Sequence, residues 1–272
     1  MELPPGDALA LAERAAREAA ALLLARWRRP GSVVTKSSLT DPVSDADREA
    51  EERIVALLRA ARPGDAIVAE EGSSEEAAGR GAVRWLVDPL DGTVNYLYGI
   101  PHWAVSVAAL DTEGALAGVV YDPVRDELYR ASRGGGAWLG RVPLATTALA
   151  AAELALVATG YSYVAAEREE QARREGRFIG RVRDVRRFGS AALDLAYVAA
   201  GRVDAYYESF GNPWDWAAGA LLVSEAGGQV SEVAGVRTGT PGMLASGRPL
   251  HDALLAIVGV QGPTQPLDLS SR

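Results

Sequence analysis

The spacing of apolar and polar positions divides the chain into two textures. Pro4 and Pro5 lead into an Ala- and Leu-rich stretch to about Arg29, with Glu13, Arg14, Arg17 and Glu18 spaced among the apolar residues and Pro30-Gly31 closing it. That pattern predicts an amphipathic helix. Ser32–Ser37 reads as a short strand. Ser44 opens a second helix, with Asp45 and Asp47 in its first turn, Ile54, Leu57 and Leu58 at helical spacing, and Pro63-Gly64 at its end. Ala66–Ala69 is a short strand leading into Glu70-Glu71-Gly72, residues 73–81 are a polar loop, and Trp85-Leu86-Val87 is a buried strand that ends in Asp88. Ala104–Leu110, Ala115–Tyr121, Glu127–Ala131 and Ala137–Leu139 follow with turn residues between them, the signature of an antiparallel meander.

From about Leu144 strands alternate with helices. Strands are expected at Leu154–Thr159, Arg183–Arg186, Val203–Tyr207, Gln229–Val233 and Met243–Ala245, and helices at 164–175, Ser190–Ala200, Pro213–Ala226 and His251–Val258. This alternation predicts a second α/β layer. The expected organisation is one compact unit of two halves: residues 1–145, α+β with an antiparallel sheet, and residues 146–272, α/β.

Composition narrows the chemistry. The chain has 272 residues, ample for a buried core, and no cysteine, so disulfides, thiolate metal sites and cysteine nucleophiles are excluded. With only two histidines, His102 and His251, a multi-histidine metal centre is nearly excluded, so any metal must be held mainly by oxygen ligands, which points to a hard cation such as Mg²⁺. A net charge of −8 argues against nonspecific duplex binding. No run approaches the roughly 20 apolar residues of a membrane span. A cytoplasmic location is expected, with neither nucleic acid nor membrane as a partner. Lys36 is the only lysine among the 28 basic residues, which singles it out.

The most informative segment is Trp85-Leu86-Val87-Asp88-Pro89-Leu90-Asp91-Gly92-Thr93-Val94-Asn95. Two carboxylates at the end of a buried strand repel each other, and a divalent cation between them relieves the repulsion; an Asp-rich turn, with Asp91-Gly92 as an ordinary turn dipeptide, is the plainer account. Gly92 leaves room for a ligand, and the N–H groups of Gly92 and Thr93 at a helix start offer a seat for phosphate. Glu70-Glu71, also after an apolar strand, could add a third ligand; a solvated acidic loop is the plainer account. In Trp214-Asp215-Trp216-Ala217-Ala218-Gly219 an acid opens an apolar helix between two tryptophans. A favourable helix dipole explains an acid there, but burial by the flanking rings calls for a partner charge as well.

With these residues in view, the chain resembles the inositol monophosphatase family, part of the lithium-sensitive, metal-dependent phosphatase superfamily. Asp88-Pro89-Leu90-Asp91-Gly92-Thr93 matches the family signature D-P-[IL]-D-G-T, and Trp214-Asp215-x-Ala217-Ala218-Gly219 matches W-D-x-A-A-G. Asp41-Pro42-Val43-Ser44-x-x-Asp47 resembles an upstream D-x-V-T-x-x-D element, and the likeness runs over about residues 5–260. The resemblance implies a layered α-β-α-β-α sandwich of the inositol monophosphatase and fructose-1,6-bisphosphatase type, and Mg²⁺-dependent hydrolysis of a phosphate monoester, foremost myo-inositol 1-phosphate. It implies that Glu70, Asp88 and the carbonyl of Leu90 hold one Mg²⁺, that Asp88, Asp91 and Asp215 hold a second, and that a weaker third ion sits near Glu70. Glu70 and Thr93 would orient the attacking water, with Asp47 supporting Thr93 from behind. Asp91, Gly92, Thr93, Ala191, Glu208 and Asp215 would contact the substrate, and Gly189-Ser190-Ala191 would line its ring. Lys36 matches a lysine near the site.

The resemblance further implies a homodimer, with most metal ligands in the first half and the substrate residues in the second. Where the family usually has Ser or Thr after its paired glutamates, this chain has Gly72, which weakens the implied third metal position. Histidinol-phosphate phosphatase and fructose-1,6-bisphosphatase activities use the same metal chemistry and remain open, Arg186 or Arg187 being available for a second phosphate. A regulatory binding protein is the alternative of a different class.

Overall fold

The computed structural model describes residues 3–36, 41–72, 74–75, 83–209, 211–237 and 240–258. The strand expected over Ser32–Ser37 therefore ends outside the described residues, as does most of the loop expected over 73–81.

The first half begins with helix α1 (Pro5–Arg26), a two-stranded ribbon of β1 (Val33–Thr35) and β2 (Pro42–Ser44), and helix α2 (Asp45–Ala61). Pro5 at the first position of α1 has no N–H to leave unpaired. Ser44 and Asp47 form a reciprocal capping box at the start of α2. There follow β3 (Ala66–Ala69), β4 (Ser74–Glu75), β5 (Arg84–Asp91), the short helix α3 (Thr93–Leu97), β6 (Ala104–Asp111), β7 (Gly114–Asp122), β8 (Glu127–Ser132), β9 (Ala137–Leu139) and β10 (Val142–Pro143). Strands β3–β10 make an eight-stranded sheet in the order β10-β9-β8-β7-β6-β5-β3-β4. The meander is present as expected. Ser74–Glu75 is a strand where the polar composition predicts a loop: its backbone pairs with β3, Ile67 opposite Glu75, and such pairing needs no apolar side chain.

The second half comprises β11 (Leu156–Thr159), α4 (Ala165–Glu175), β12 (Asp184–Arg186), α5 (Ala191–Ala199), β13 (Ala205–Glu208), α6 (Pro213–Glu225), β14 (Gly228–Arg237), β15 (Thr240–Gly247) and α7 (Arg248–Val258). Its five-stranded sheet runs β12-β11-β13-β15-β14, parallel through the first three strands and antiparallel beyond. The last two strands are longer than the apolar runs predict, because β14 and β15 pair as one hairpin whose ladder continues past the buried residues.

Strand alternation sets the layers. Trp85, Val87, Val105, Val107 and Ala109 face α1 and α2, whereas Leu86, Ala104, Ala108 and Leu110 face the opposite side, where they pack with α5 and α6. The inner face of the second sheet, Ala158, Tyr206, Met243 and Ala245, closes on the same two helices. Its outer face, Val157, Ala205, Tyr207 and Leu244, is covered by α7 and Phe178. The result is the expected α-β-α-β-α sandwich, with α5 and α6 as the shared middle layer. No helix among the described residues is long and apolar enough to cross a membrane.

Candidate active site

β5 delivers the central acids. Its ladder to β6 is regular from Arg84↔Leu110 to Asp88↔Ser106, then shifts register and resumes at Asp91↔Ala104. The strand therefore continues through Asp91 rather than ending at Asp88. Pro89 has no N–H for the ladder, and Leu90 N–H turns to the Asp88 carboxylate at 2.9 Å, so the bulge lies between the two acids. Gly92 then takes φ +96°, a conformation that suits only glycine. A Cβ there would meet the carbonyls of His102 at 3.1 Å and Gly189 at 3.2 Å. The space a side chain would need at Gly92 is thus taken up by the protein's own backbone, while the residue itself lines the cavity described below.

Glu70 arrives through the parallel pairing of β3 with β5. The register places Ala69 opposite Val87, and Glu70 N–H donates to Val87 C=O at 3.1 Å, which carries the Glu70 side chain to Asp88. Thr93 Oγ1 lies 3.0 Å from the Leu90 carbonyl and 3.1 Å from Asp47 Oδ1. Asp47, 1% exposed, stands behind Thr93 rather than in the cavity wall. Lys36 Nζ bridges Glu70 and Glu71 at 2.8 Å each, and Glu51 accepts from Glu71 N–H at 2.6 Å. Gly72 has φ +123°, so serine or threonine at this position would be strained.

The second half contributes from α5, β13 and α6. Asp91 Oδ2 accepts from Ser190 Oγ at 2.6 Å and from Ala192 N–H at 2.7 Å, a clamp by the start of α5. Asp215 sits in the first turn of α6 in a capping box with Asn212, whose N–H it accepts at 2.7 Å. Glu208 ends β13 and accepts a hydrogen bond from Tyr206 Oη. A Cβ at Gly160 would fall 2.1 Å from Glu208 Oε2, so only glycine lets that carboxyl lie there.

One cavity of about 410 Å³ joins these groups. Glu70, Asp88, Leu90, Asp91, Gly92, Thr93, Ala191, Glu208 and Asp215 all line it, as do Lys36, Gly189 and Arg187. The residues expected to hold the two ions or to touch the substrate are thus in its wall, whereas Glu71 and Arg186, offered from the sequence as a further ligand and a second phosphate contact, are not. Asp194, Gly160, Tyr163 and Arg237 also line it and escaped sequence reading. Asp194 had a signal, an acid within the apolar run Ala191–Ala199, of the kind that drew attention to Asp215.

The electrostatics are those of crowded acids. Burial, then the charges of Glu70, Asp91 and Asp215, push Asp88 well above the usual carboxylate range. Burial raises Asp91 to about 6 despite its Ser190 and Ala192 donors. Asp215 rises through burial and the charge of Glu70, and Glu71 reaches about 7 through burial and Glu70. Burial works against the Lys36 charge, but its two glutamate partners outweigh it and its pKa rises. Such a set of oxygens is costly when ionised and unneutralised, and it has the donor chemistry of a hard divalent cation. Each acid is engaged by its own donor or by Lys36, so among the described residues no three of these side chains yet close around a common point. The fit lies in the donor set and its excess of negative charge.

The model of the inositol monophosphatase family matches residues 7–259. An inositol-1-monophosphatase SuhB from Mycobacterium tuberculosis is 42% identical over 273 residues, covering 93% of each chain. A Nus factor SuhB from Pseudomonas aeruginosa is 44% identical over 236 residues, 84% of this chain and 86% of that one. The solved structure of an inositol monophosphatase from Thermotoga maritima superposes with a TM-score of 0.80 at 34% identity, covering 90% of this chain and 94% of that one. The chain belongs to the inositol monophosphatase family.

Proposed function

We propose that the protein is a Mg²⁺-dependent phosphoric monoester hydrolase acting on an inositol phosphate, foremost myo-inositol 1-phosphate. The observation that carries this reading is the convergence of Glu70, Asp88, Asp91 and Asp215, from both halves of the chain, on one cavity together with Glu208. Glu70, Asp88 and the Leu90 carbonyl would hold one ion, and Asp88, Asp91 and Asp215 another. When bound there, Mg²⁺ supplies positive charge for the phosphoryl and leaving oxygens.

The remaining work falls to the chain's own groups. Thr93 has one hydroxyl proton, which it gives to Asp47 or to the Leu90 carbonyl. Its oxygen is then an acceptor for water, and Glu70, in the wall of the same cavity, would take the water's second hydrogen bond. That orients a lone pair of the water toward phosphorus. Neither histidine is required: His102 and His251 are held neutral by burial, both near 4, and neither lines the cavity. Ser190 and Ala192 fix Asp91, and Glu208 accepts from a hydroxyl of the polyol. A cytoplasmic homodimer, lithium sensitivity and a third, weaker ion near Glu70 belong to the same reading.

A panel of esters tests it: phosphate release with Mg²⁺, with and without Li⁺, from myo-inositol 1-phosphate, histidinol phosphate and fructose 1,6-bisphosphate. Lithium-sensitive preference for the inositol ester is the expected result. Preference for another ester changes the substrate and keeps the site. Mg²⁺ binding without turnover of any ester overturns the enzyme reading in favour of a regulatory role, which the Nus factor relative makes the specific alternative.

A further inference from the structure

One buried carboxyl in the cavity has no part in the chemistry above. Asp194 lies in the first turn of α5 and is 1% exposed. It lines the cavity, and its Oδ1 has no hydrogen-bond partner among the described residues. The charged groups around it are Asp91 and Glu208, which oppose its ionisation, and Arg187, which favours it. Helix capping does not account for it: the cap of α5 is Ser190, whose hydroxyl accepts from Leu193 N–H at 3.3 Å. An acid serving only the helix dipole would do so equally well in solvent. Leaving a buried carboxyl oxygen unmet is costly, and folded proteins leave few such atoms without a reason.

The metal reading does not supply that reason, because the ion-holding acids already form a set without Asp194. Asp194 stands between the two groups of acids: it feels the charges of Asp91 and of Glu208, and Asp88 is not among the charges acting on it. Glu208 is the residue assigned to a substrate hydroxyl, and it is fixed from behind by Tyr206 and by its close approach to Gly160.

We infer that Asp194 is a second hydroxyl-binding residue: with Glu208 it forms a carboxyl pair that engages hydroxyls of the polyol portion of the ester and separates polyol phosphates from esters that lack hydroxyls. A hydroxyl is both donor and acceptor, so it can satisfy a carboxyl oxygen that no side chain among the described residues reaches. Sites built around such unmet groups reject analogues that leave them unpaired more strongly than apolar pockets reject an extra methylene.

This inference rests on the phosphatase reading, and the test separates the two. Wild type, Asp194→Leu and Asp194→Asn are assayed with Mg²⁺ on myo-inositol 1-phosphate and on phenyl phosphate, an ester without hydroxyls, with the melting temperature of each. Leu keeps the branching at Cγ, is larger, and removes both oxygens. Its loss in kcat/KM on the inositol ester should exceed its loss on phenyl phosphate by about tenfold to a hundredfold. Asn keeps the shape, should melt within a few degrees of wild type, and should still move the ratio of the two esters by about threefold or more. Equal losses on both esters, or a ratio unmoved in the Asn variant, mean that Asp194 only shapes α5, and they overturn the inference. A wild-type enzyme that hydrolyses phenyl phosphate without preferring the inositol ester overturns the substrate reading and this inference with it.

Discussion

The two halves of the molecule bring carboxyl groups to the same cavity in different company. In the eight-stranded half, Glu70, Asp88 and Asp91 stand against one another, and their mutual charge is part of what holds Asp88 and Asp91 above the ordinary range. In the five-stranded half, Glu208 is raised to about 7 mainly by burial, with a smaller push from Asp91, and the Tyr206 hydroxyl and Arg187 act the other way. Crowded like charges call for a cation, whereas a carboxyl poised near neutrality beside a hydroxyl suits the recognition of other hydroxyls. Asp215 crosses the division: it belongs to the second half by sequence, but α6 packs against β5 and β6 and delivers it to the first half's acids. Reaction and selectivity are thereby supplied by different sheets, with α5 and α6 between them.

The sharpest way to break this division is at Asp88. Asp88→Asn keeps the shape and removes the charge that the cluster is built around. We expect kcat to fall by about 10³ or more, the scale of losing a preorganised electrostatic group. The Mg²⁺-free melting temperature should hold or rise, because burial and three neighbouring acids already oppose the Asp88 charge. Phosphate release at matched Mg²⁺ and a thermal melt check both parts. Turnover within tenfold of wild type would remove Asp88 from the reaction.

The same contrast explains what the sequence could disclose. The first half's acids lie in short local patterns, a strand ending in Glu70 and the run Asp88–Thr93, so motif and strand reading found them together. Asp215 and Glu208 were legible through a flanking motif and a resemblance. What escaped depends on contacts distant in sequence. Gly160 matters because Glu208 packs on it from 48 residues away, as the Thr159 hydroxyl bond to the Tyr207 carbonyl shows for the same strand pair. Gly92 is glycine because the His102 and Gly189 backbones converge on it, a crowding that no local pattern encodes. The continuation of β5 through Asp91 was likewise hidden, since Pro89 reads as a strand end unless the bulge is known. The fold was the more legible part, because alternation along β5, β6, β11 and β13 assigns each face to its layer.

A smaller effect should separate selectivity from metal binding. Glu208→Gln should shift the preference among phosphate esters by about tenfold while leaving the Mg²⁺ concentration for half-activity within about twofold, since Glu208 is outside the proposed ion-holding set. Its pH behaviour provides a second check. The folded-state pKa is raised from 4.5 to about 7, so the native protein keeps a proton that the unfolded chain gives up. The stability from that proton is complete below about pH 4.5 and is lost as pH rises through about 7. Glutamine is neutral throughout, so the variant's melting temperature relative to wild type should climb between about pH 5 and pH 8. A flat difference, or an unchanged ester ratio, would return Glu208 to a purely structural role.

The smallest effect is expected where a buried polar group is fully satisfied and distant from the cavity. His251 is inaccessible to solvent, and its two ring nitrogens lie 2.9 Å from the hydroxyls of Ser246 and Ser231. Burial lowers its pKa from 6.5 to about 4, so the ring is neutral, with one nitrogen donating and the other accepting. The stability it adds is present above about pH 6.5 and is lost as pH falls through about 4, opposite in direction to Glu208. Ser231→Ala leaves one ring nitrogen unpaired, at a cost of about 1–2 kcal/mol. For a chain of this size that lowers the melting temperature by about 2–8 °C. Ser231, Ser246 and His251 lie on the outer face of the second sheet with Leu244 and α7, away from α5 and α6, so kcat and the ester ratio should not move. A change in ester preference without a change in melting temperature would show that the outer face communicates with the cavity, and the assignment of stability to one face and selectivity to the other would fail.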